Sequence, residues 1–194
     1  MNFFKVIFIF FLVLLTLIRF YFKFKYYKII SKDYIKYEPF YIFFIRIIFG
    51  ILLGILLIFM IFKENYISFT FFKLFIWIKI CGIIISIFGL LLLIWSHITL
   101  KENFTTTVFL KENHKLVKNG PYKIIRHPMY LSYIIFFTGL TLVSSNYMFG
   151  ILANGIILSL IIFRLPLEEK ILTERFKEYR EYSRKVAKIL PYIW

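Results

Sequence analysis

The chain reads as all-α and integral to a membrane: five transmembrane helices, the last two a tight helical hairpin, and a C-terminal amphipathic cytoplasmic helix. Three observations lead there. Of 194 residues, 61% are hydrophobic and 18% charged, with a mean hydropathy of +0.80, which is too apolar for a water-soluble single core. The apolar residues gather in four uninterrupted blocks, each long enough to cross about 30 Å of hydrocarbon. The last block, Met129 to Phe163, runs for 35 residues without a charge, too far for a single crossing.

Phe3 to Phe22, the first block, has the hydrophobicity of a signal peptide. No small-residue cleavage site follows it, only Arg19 and an aromatic, lysine-rich stretch, so it is retained as an anchor. Phe40 to Phe62 and Leu74 to Trp95 each suit one helix. The isolated charges Lys5, Arg19, Arg46 and Lys79 lie near enough to block ends for their stems to reach the interface. As one helix the fourth block would measure about 52 Å. Ser144, Ser145 and Asn146 form its only central cluster of turn-forming residues, so it divides there. From Lys170 to Val186, Ile171, Leu172, Phe176, Tyr179 and Val186 recur at helical spacing among charged residues, which predicts an amphipathic surface helix. Residues 1–194 thus form a single membrane domain with spans of about 3–22, 40–62, 74–95, 129–144 and 147–164.

Basic residues set the expected orientation. Lys23, Lys25, Lys28, Lys32 and Lys36 follow the first span, and Lys101, Lys111, Lys115, Lys118, Lys123 and Arg126 precede the hairpin. Eight more lie from Arg164 onward, whereas the opposite segments hold only Lys63 and Lys73. Positive-inside then puts the N-terminus outside and the C-terminus in the cytoplasm. This topology, with attraction to anionic lipid, accounts for the net charge of +15. No basic stripe or reader motif accompanies it, so no nucleic-acid partner is expected. The lone Cys81 permits no intrachain disulfide or cysteine metal site. His97, His114 and His127 lack paired-ligand spacing, so no metal is expected.

The polar side chains concentrate in two segments on the cytoplasmic side, "KENHKLVKNGPYKIIRHPMY" (111–130) and "RLPLEEKILTERFKEYREYSRKV" (164–186). A hairpin between them brings them together at the membrane surface. Gly120 and Pro121 make a turn, and Pro128 suits the first turn of a helix, where its missing N–H costs nothing. Tyr122 and Tyr130 fit the headgroup level. On the residues alone this is equally a capped, aromatic-belted helix entrance. Arg164 and Glu168, four apart on one helical face, are by themselves a surface ion pair. Opposite Arg126 and His127, and beside Glu169, they make a mixed-charge cluster next to lipid, a costly arrangement that points to function.

With "HKLVKNGPYKIIRHPMY" and "RLPLEEKILTERFKEYREYSRKVAKILP", the chain resembles the isoprenylcysteine carboxyl methyltransferase family of integral membrane enzymes, in its short prokaryotic form. The resemblance covers roughly 45 residues and implies an S-adenosylmethionine (SAM) site on the cytoplasmic face, open to the bilayer for a lipid-like or prenylated substrate. Cofactor-binding positions carried over are His114, Lys115, Leu116 and Val117 of the "HxLV" stretch, Tyr122 after the glycine turn, His127, Pro128, Met129 and Tyr130 of "HPxY", and Glu168. Arg164 matches the arginine linked to the substrate carboxylate and is the candidate catalytic residue. Thr107 stands where the family supplies a further polar contact. The first three helices carry no usable match.

Such a site is chemically coherent. Aromatic faces hold a sulfonium cation, and an acceptor carboxylate is already ionised, so no general base is needed. The alternative within enzymes is a phospholipid (phosphatidylethanolamine) N-methyltransferase, with a similar "RHPxY" and Glu-Glu pattern and an amine acceptor that needs a base. A sterol-type reductase shares some motifs on a much longer chain. A non-catalytic membrane protein with residual motifs is the remaining possibility.

Overall fold

The computed structural model describes residues 3–26, 39–104 and 115–190. Apart from two isolated bridges, the regular elements among them are helical. They are α1 (Phe3–Tyr26), α2 (Phe40–Phe62), α3 (Ile76–Leu100), α4 (Pro128–Ser144), α5 (Tyr147–Ser159), α6 (Leu165–Arg175) and α7 (Tyr179–Lys185).

Four continuous helices, Phe3–Tyr26, Phe40–Phe62, Ile76–Asn103 and Tyr147–Arg175, are long and apolar enough to cross a membrane. Their most hydrophobic windows are only 11% to 28% buried within the protein. Exposed Phe, Ile, Leu and Trp side chains along them need hydrocarbon as solvent, so the chain is a multi-pass membrane protein. α4 is apolar but shorter, at 17 residues.

Lipid offers helices no hydrophobic reason to associate, so close packing has to hold them. The tightest seam joins α3 to α4. A Cβ on Gly89 would lie 2.6 Å from the backbone nitrogen of Phe136, and one on Gly139 would lie 2.6 Å from the carbonyl oxygen of Gly82. Ser86 is buried in the same seam and donates to the Gly82 carbonyl at 2.8 Å. Phe8, Phe11 and Leu15 of α1 and Leu56 and Met60 of α2 complete the core around Phe136, Leu140, Val143, Phe149 and Ala153. Gly139→Val drives a side chain into fixed backbone and is expected to cost about 2–3 kcal/mol, read as a lower melting temperature of the detergent-solubilised protein.

The hairpin turns at the expected residues. Ser145 takes a left-handed conformation (φ 54°). Asn146 caps α5, its side-chain oxygen accepting from the Phe149 N–H at 2.9 Å while its amide donates to Thr70 Oγ1 at 2.6 Å.

At its far end α5 does not stop. A five-residue π-turn, Leu160–Arg164, carries it into α6, with the Leu165 N–H donating to the Leu160 carbonyl. Pro166 gives the reason: it has no N–H for the carbonyl of Ile162, and its ring crowds that oxygen, so the helix widens just before it. The expected single amphipathic helix over 170–186 is instead two helices. Phe176 is extended (φ −116°, ψ 109°) and separates α6 from α7. No proline or glycine breaks the chain there. Folding back lets the Tyr179 hydroxyl donate to Glu169 on α6 at 2.5 Å, a tertiary bond that overrides local helix preference.

Candidate active site

At the end of the bundle that carries α6 and α7 lies a cavity of about 430 Å³, within the range of small-molecule sites, roughly 300–1,000 Å³. Residues from both polar segments and from the hydrophobic helices line it.

The segment from Gly120 begins with a left-handed glycine (φ 57°), where a Cβ would come 2.7 Å from Thr99 Oγ1. A short 3₁₀ turn, Gly120–Lys123, follows and buries Tyr122. Upstream, the Lys115 N–H donates to Asn103 Oδ1 at 2.9 Å, which ties the 115–117 stretch to the end of α3. Downstream, Pro128 opens α4, with His127 as its N-cap.

Glu168 and Glu169 are adjacent in sequence and have different partners. Glu168 accepts from Arg164 Nε at 2.8 Å and from the Tyr130 hydroxyl at 3.1 Å, with His127 Nδ1 3.7 Å away. Glu169 accepts from Arg126 through both Nε (3.1 Å) and Nη2 (2.9 Å), from His127 Nε2 at 2.5 Å and from Tyr179 at 2.5 Å. Arg126 Nη1 also donates to the carbonyls of Ser183 and Val186, each at 2.6 Å. Backbone bonds from Arg126 to Ala187 (2.8 Å) and from His127 to Lys188 (3.0 Å) extend the join. The Tyr182 hydroxyl donates to the Tyr122 carbonyl at 2.5 Å. Loop and tail are thus one hydrogen-bonded cap. Burial, then the hydrogen bond to Glu169, pushes the Tyr179 hydroxyl far above its ordinary range, so it stays a donor. Burial likewise raises Tyr182, to about 12.

Lys115, Leu116, Val117, Tyr122, His127, Met129, Tyr130, Arg164 and Glu168 all line the one cavity. Pro128 does not. It is buried in the first turn of α4, where its fixed φ directs the chain between His127 and Met129. His114 and Thr107 lie outside the described residues. Tyr179 and Tyr182 carry no sequence signal for the site, because their partners are ten or more residues away. Arg19 and Arg46, expected to reach for the interface, border the cavity instead. His97 is packing: its ring stacks on Phe22 (4.7 Å between centroids) and meets Phe104 edge-on (4.5 Å).

Fold and site together define a helical membrane protein with a small-molecule cavity, largely apolar but carrying charged side chains, roofed by its own loop and tail. The model of the phospholipid methyltransferase family matches residues 77–179, more than half of the chain, and the chain belongs to that family. Among curated relatives, protein-S-isoprenylcysteine O-methyltransferase B of Arabidopsis thaliana is 31% identical over 120 residues, 60% of this chain and 61% of the relative. A probable protein-S-isoprenylcysteine O-methyltransferase of Oryza sativa subsp. japonica is 29% identical over 115 residues, 58% of this chain and 60% of the relative. The chain spans about 60% of the length of these relatives. A solved eukaryotic intramembrane Ras methyltransferase, an isoprenylcysteine carboxyl methyltransferase, superposes with a TM-score of 0.53 at 22% identity over 75% of this chain and 52% of its own. That likeness establishes a shared fold.

Proposed function

We propose that this chain is a SAM-dependent methyltransferase acting on the carboxylate of a prenylated cysteine or a similarly lipophilic acceptor. The observation that carries the reading is the convergence of Arg164, Glu168, Tyr130 and Tyr122 on one cavity whose remaining walls are largely apolar. The relatives named above act on isoprenylcysteine, which supports the acceptor class. In this reading the chain is one membrane domain crossing five times, α4 and α5 being the short pair, with the cavity and C-terminus cytoplasmic.

The residues present fit the cofactor. Tyr122 lies on the cavity wall with its hydroxyl buried and without a hydrogen-bond partner among the described residues. Burial, the largest cause, raises its pKa well above the usual range, so it is a poised donor. Lys115, Leu116, Val117, His127, Met129, Tyr130 and Glu168 supply the other contacts. When bound, SAM supplies a methyl group on a positively charged sulfur, which passes to a carboxylate oxygen as the sulfur becomes a neutral thioether. Tyr130 offers its ring face to that cation. Arg164, which lines the cavity and is held by Glu168 through Nε, is the residue that would aim the acceptor carboxylate. No proton needs to move.

The family's phospholipid methyltransferase description favours a second reading, an amine acceptor such as phosphatidylethanolamine. Methyl transfer from labelled SAM to an S-prenylated N-acetylcysteine and to phosphatidylethanolamine, side by side, decides between them. Transfer to the prenylcysteine is the expected result, and transfer to the phospholipid alone rejects our reading. Arg164→Ala is expected to keep the thermal stabilisation by S-adenosylhomocysteine while lowering methyl transfer at least about 100-fold. Loss of both together moves Arg164 into the cofactor site.

A further inference from the structure

Two arginines outside that machinery border the same cavity, Arg19 on α1 and Arg46 on α2. Arg19 lies roughly 10 Å along the helix before Tyr26, and Arg46 roughly 9 Å after Phe40, at 1.5 Å per residue. Each arginine thus stands a similar distance inside its helix, and both border one cavity. A charge at such a depth is expensive and marks a task by default. The Arg19 guanidinium lies 5.5 Å over the ring of Tyr133, itself a cavity residue. Among the described residues no carboxylate comes within ion-pair distance of Arg19.

The burial of α2 changes along its length. Toward the hairpin end, Phe8, Phe11 and Leu15 of α1 share a core with Leu56 and Met60 of α2. Toward the cavity, α2 has no buried residue between Ile42 and Leu56. Arg46, Gly50 and Gly54 form an i, i+4 row, and a Cβ on either glycine would meet nothing within 4 Å. Neither glycine lines the cavity, and this face of α2 is open to hydrocarbon.

Among the described residues lining the cavity, Arg19, Arg46, Lys115, Arg126 and Arg164 are cationic and Glu168 is the one carboxylate. Arg164 pairs with Glu168, and Arg126 with Glu169 outside the lining, whereas Arg19 has no carboxylate within ion-pair distance among the described residues. The Arg19 charge, between low-dielectric walls, favours an anionic group over an amine.

We propose that Arg19 and Arg46 are acceptor-selecting residues: they hold the negative charge of a lipophilic carboxylate at the bilayer side of the cavity and pass it toward Arg164, while its hydrocarbon chain lies beside α2. This rests on the methyltransferase reading of the cavity. Arg19 and Arg46 do not touch the reacting atoms, so they are positioning residues. Their effect falls on acceptor affinity and KM rather than on kcat.

The test compares an S-prenylated N-acetylcysteine with its uncharged carboxamide, binding to the full-length, detergent-solubilised protein saturated with S-adenosylhomocysteine. Wild type is expected to favour the carboxylate by about tenfold or more, and R19Q/R46Q to shrink that preference to about twofold while carboxamide affinity and cofactor affinity hold. R19K/R46K, which keeps the charge, is expected to restore most of it. A double variant that still discriminates fully overturns the proposal, as does equal loss of both analogues with cofactor affinity intact, or a wild type indifferent to the charge. The single variants R19Q and R46Q are read in the same way. Failure of wild type to bind S-adenosylhomocysteine rejects the methyltransferase reading instead, and the same comparison on the unloaded protein then still reports on the two arginines.

Discussion

Glu168→Gln is expected to abolish the thermal stabilisation by S-adenosylhomocysteine and to reduce methyl transfer to background, while the ligand-free protein melts close to wild type. The substitution keeps the shape of the side chain and an oxygen that accepts from Arg164 Nε and the Tyr130 hydroxyl, now 2.8 Å and 3.1 Å from Oε1. It removes only the charge. The apo fold therefore loses little, because both donors keep an acceptor. A cationic cofactor loses the one carboxylate that lines the cavity among the described residues, and charge-assisted bonds are about twice as strong as neutral ones. Ligand at 100 times its dissociation constant stabilises a folded protein by about 2.7 kcal/mol, so the lost shift is easily read. A Glu168→Gln protein that is still stabilised at the wild-type concentration takes Glu168 out of the cofactor site.

The features that sequence made readable are those set by residues close together in the chain. Arg164 and Glu168, four apart, pair as their spacing requires. Ser144 to Asn146 turn because Asn caps the following helix and Ser145 tolerates a left-handed backbone. Gly120 turns because its φ of 57° is open to glycine. What stayed hidden depends on rotation and on distant partners. Arg19 and Arg46 looked like side chains stretching toward water, and only the packing of α1 against α3 and α4, and of α2 against α5, decides that they border a cavity. The π-turn that Pro166 provokes rephases the Glu-Glu pair. One glutamate then faces the cavity and the other the cap, which no linear pattern assigns. The break at Phe176 has no local cause at all; it exists because Tyr179 gains Glu169.

That division of labour makes the adjacent substitution behave in the opposite way. Glu169→Gln is expected to lower the melting temperature of the ligand-free protein and to leave a reduced but measurable response to cofactor. Glu169 joins three elements through Arg126, His127 and Tyr179, and the Arg126 and Glu169 side chains are only 10% and 17% exposed. Glu169 accepts through both oxygens, so glutamine sets an amide NH2 against a donor and leaves the Arg126 charge uncompensated, at a cost of about 3–5 kcal/mol. Glu168, by contrast, accepts its two hydrogen bonds through Oε1 alone. The loss concentrates in the cap, since the spans are held by the α3–α4 seam and the hairpin. Trypsin should therefore cut at Arg180 or Arg184 in the variant at concentrations that spare wild type. Cofactor contacts themselves remain, so the apparent dissociation constant rises only by the inverse of the fraction of molecules with the cap closed. Saturating S-adenosylhomocysteine pulls the cap shut again, which suppresses the cleavage, while at equal ligand concentration Glu169→Gln shows a smaller ligand-induced shift than wild type and Glu168→Gln shows none. If instead Glu169→Gln melts like wild type and loses its ligand response, the two glutamates have exchanged roles, and the cap is held by the backbone bonds of Arg126 and His127 alone.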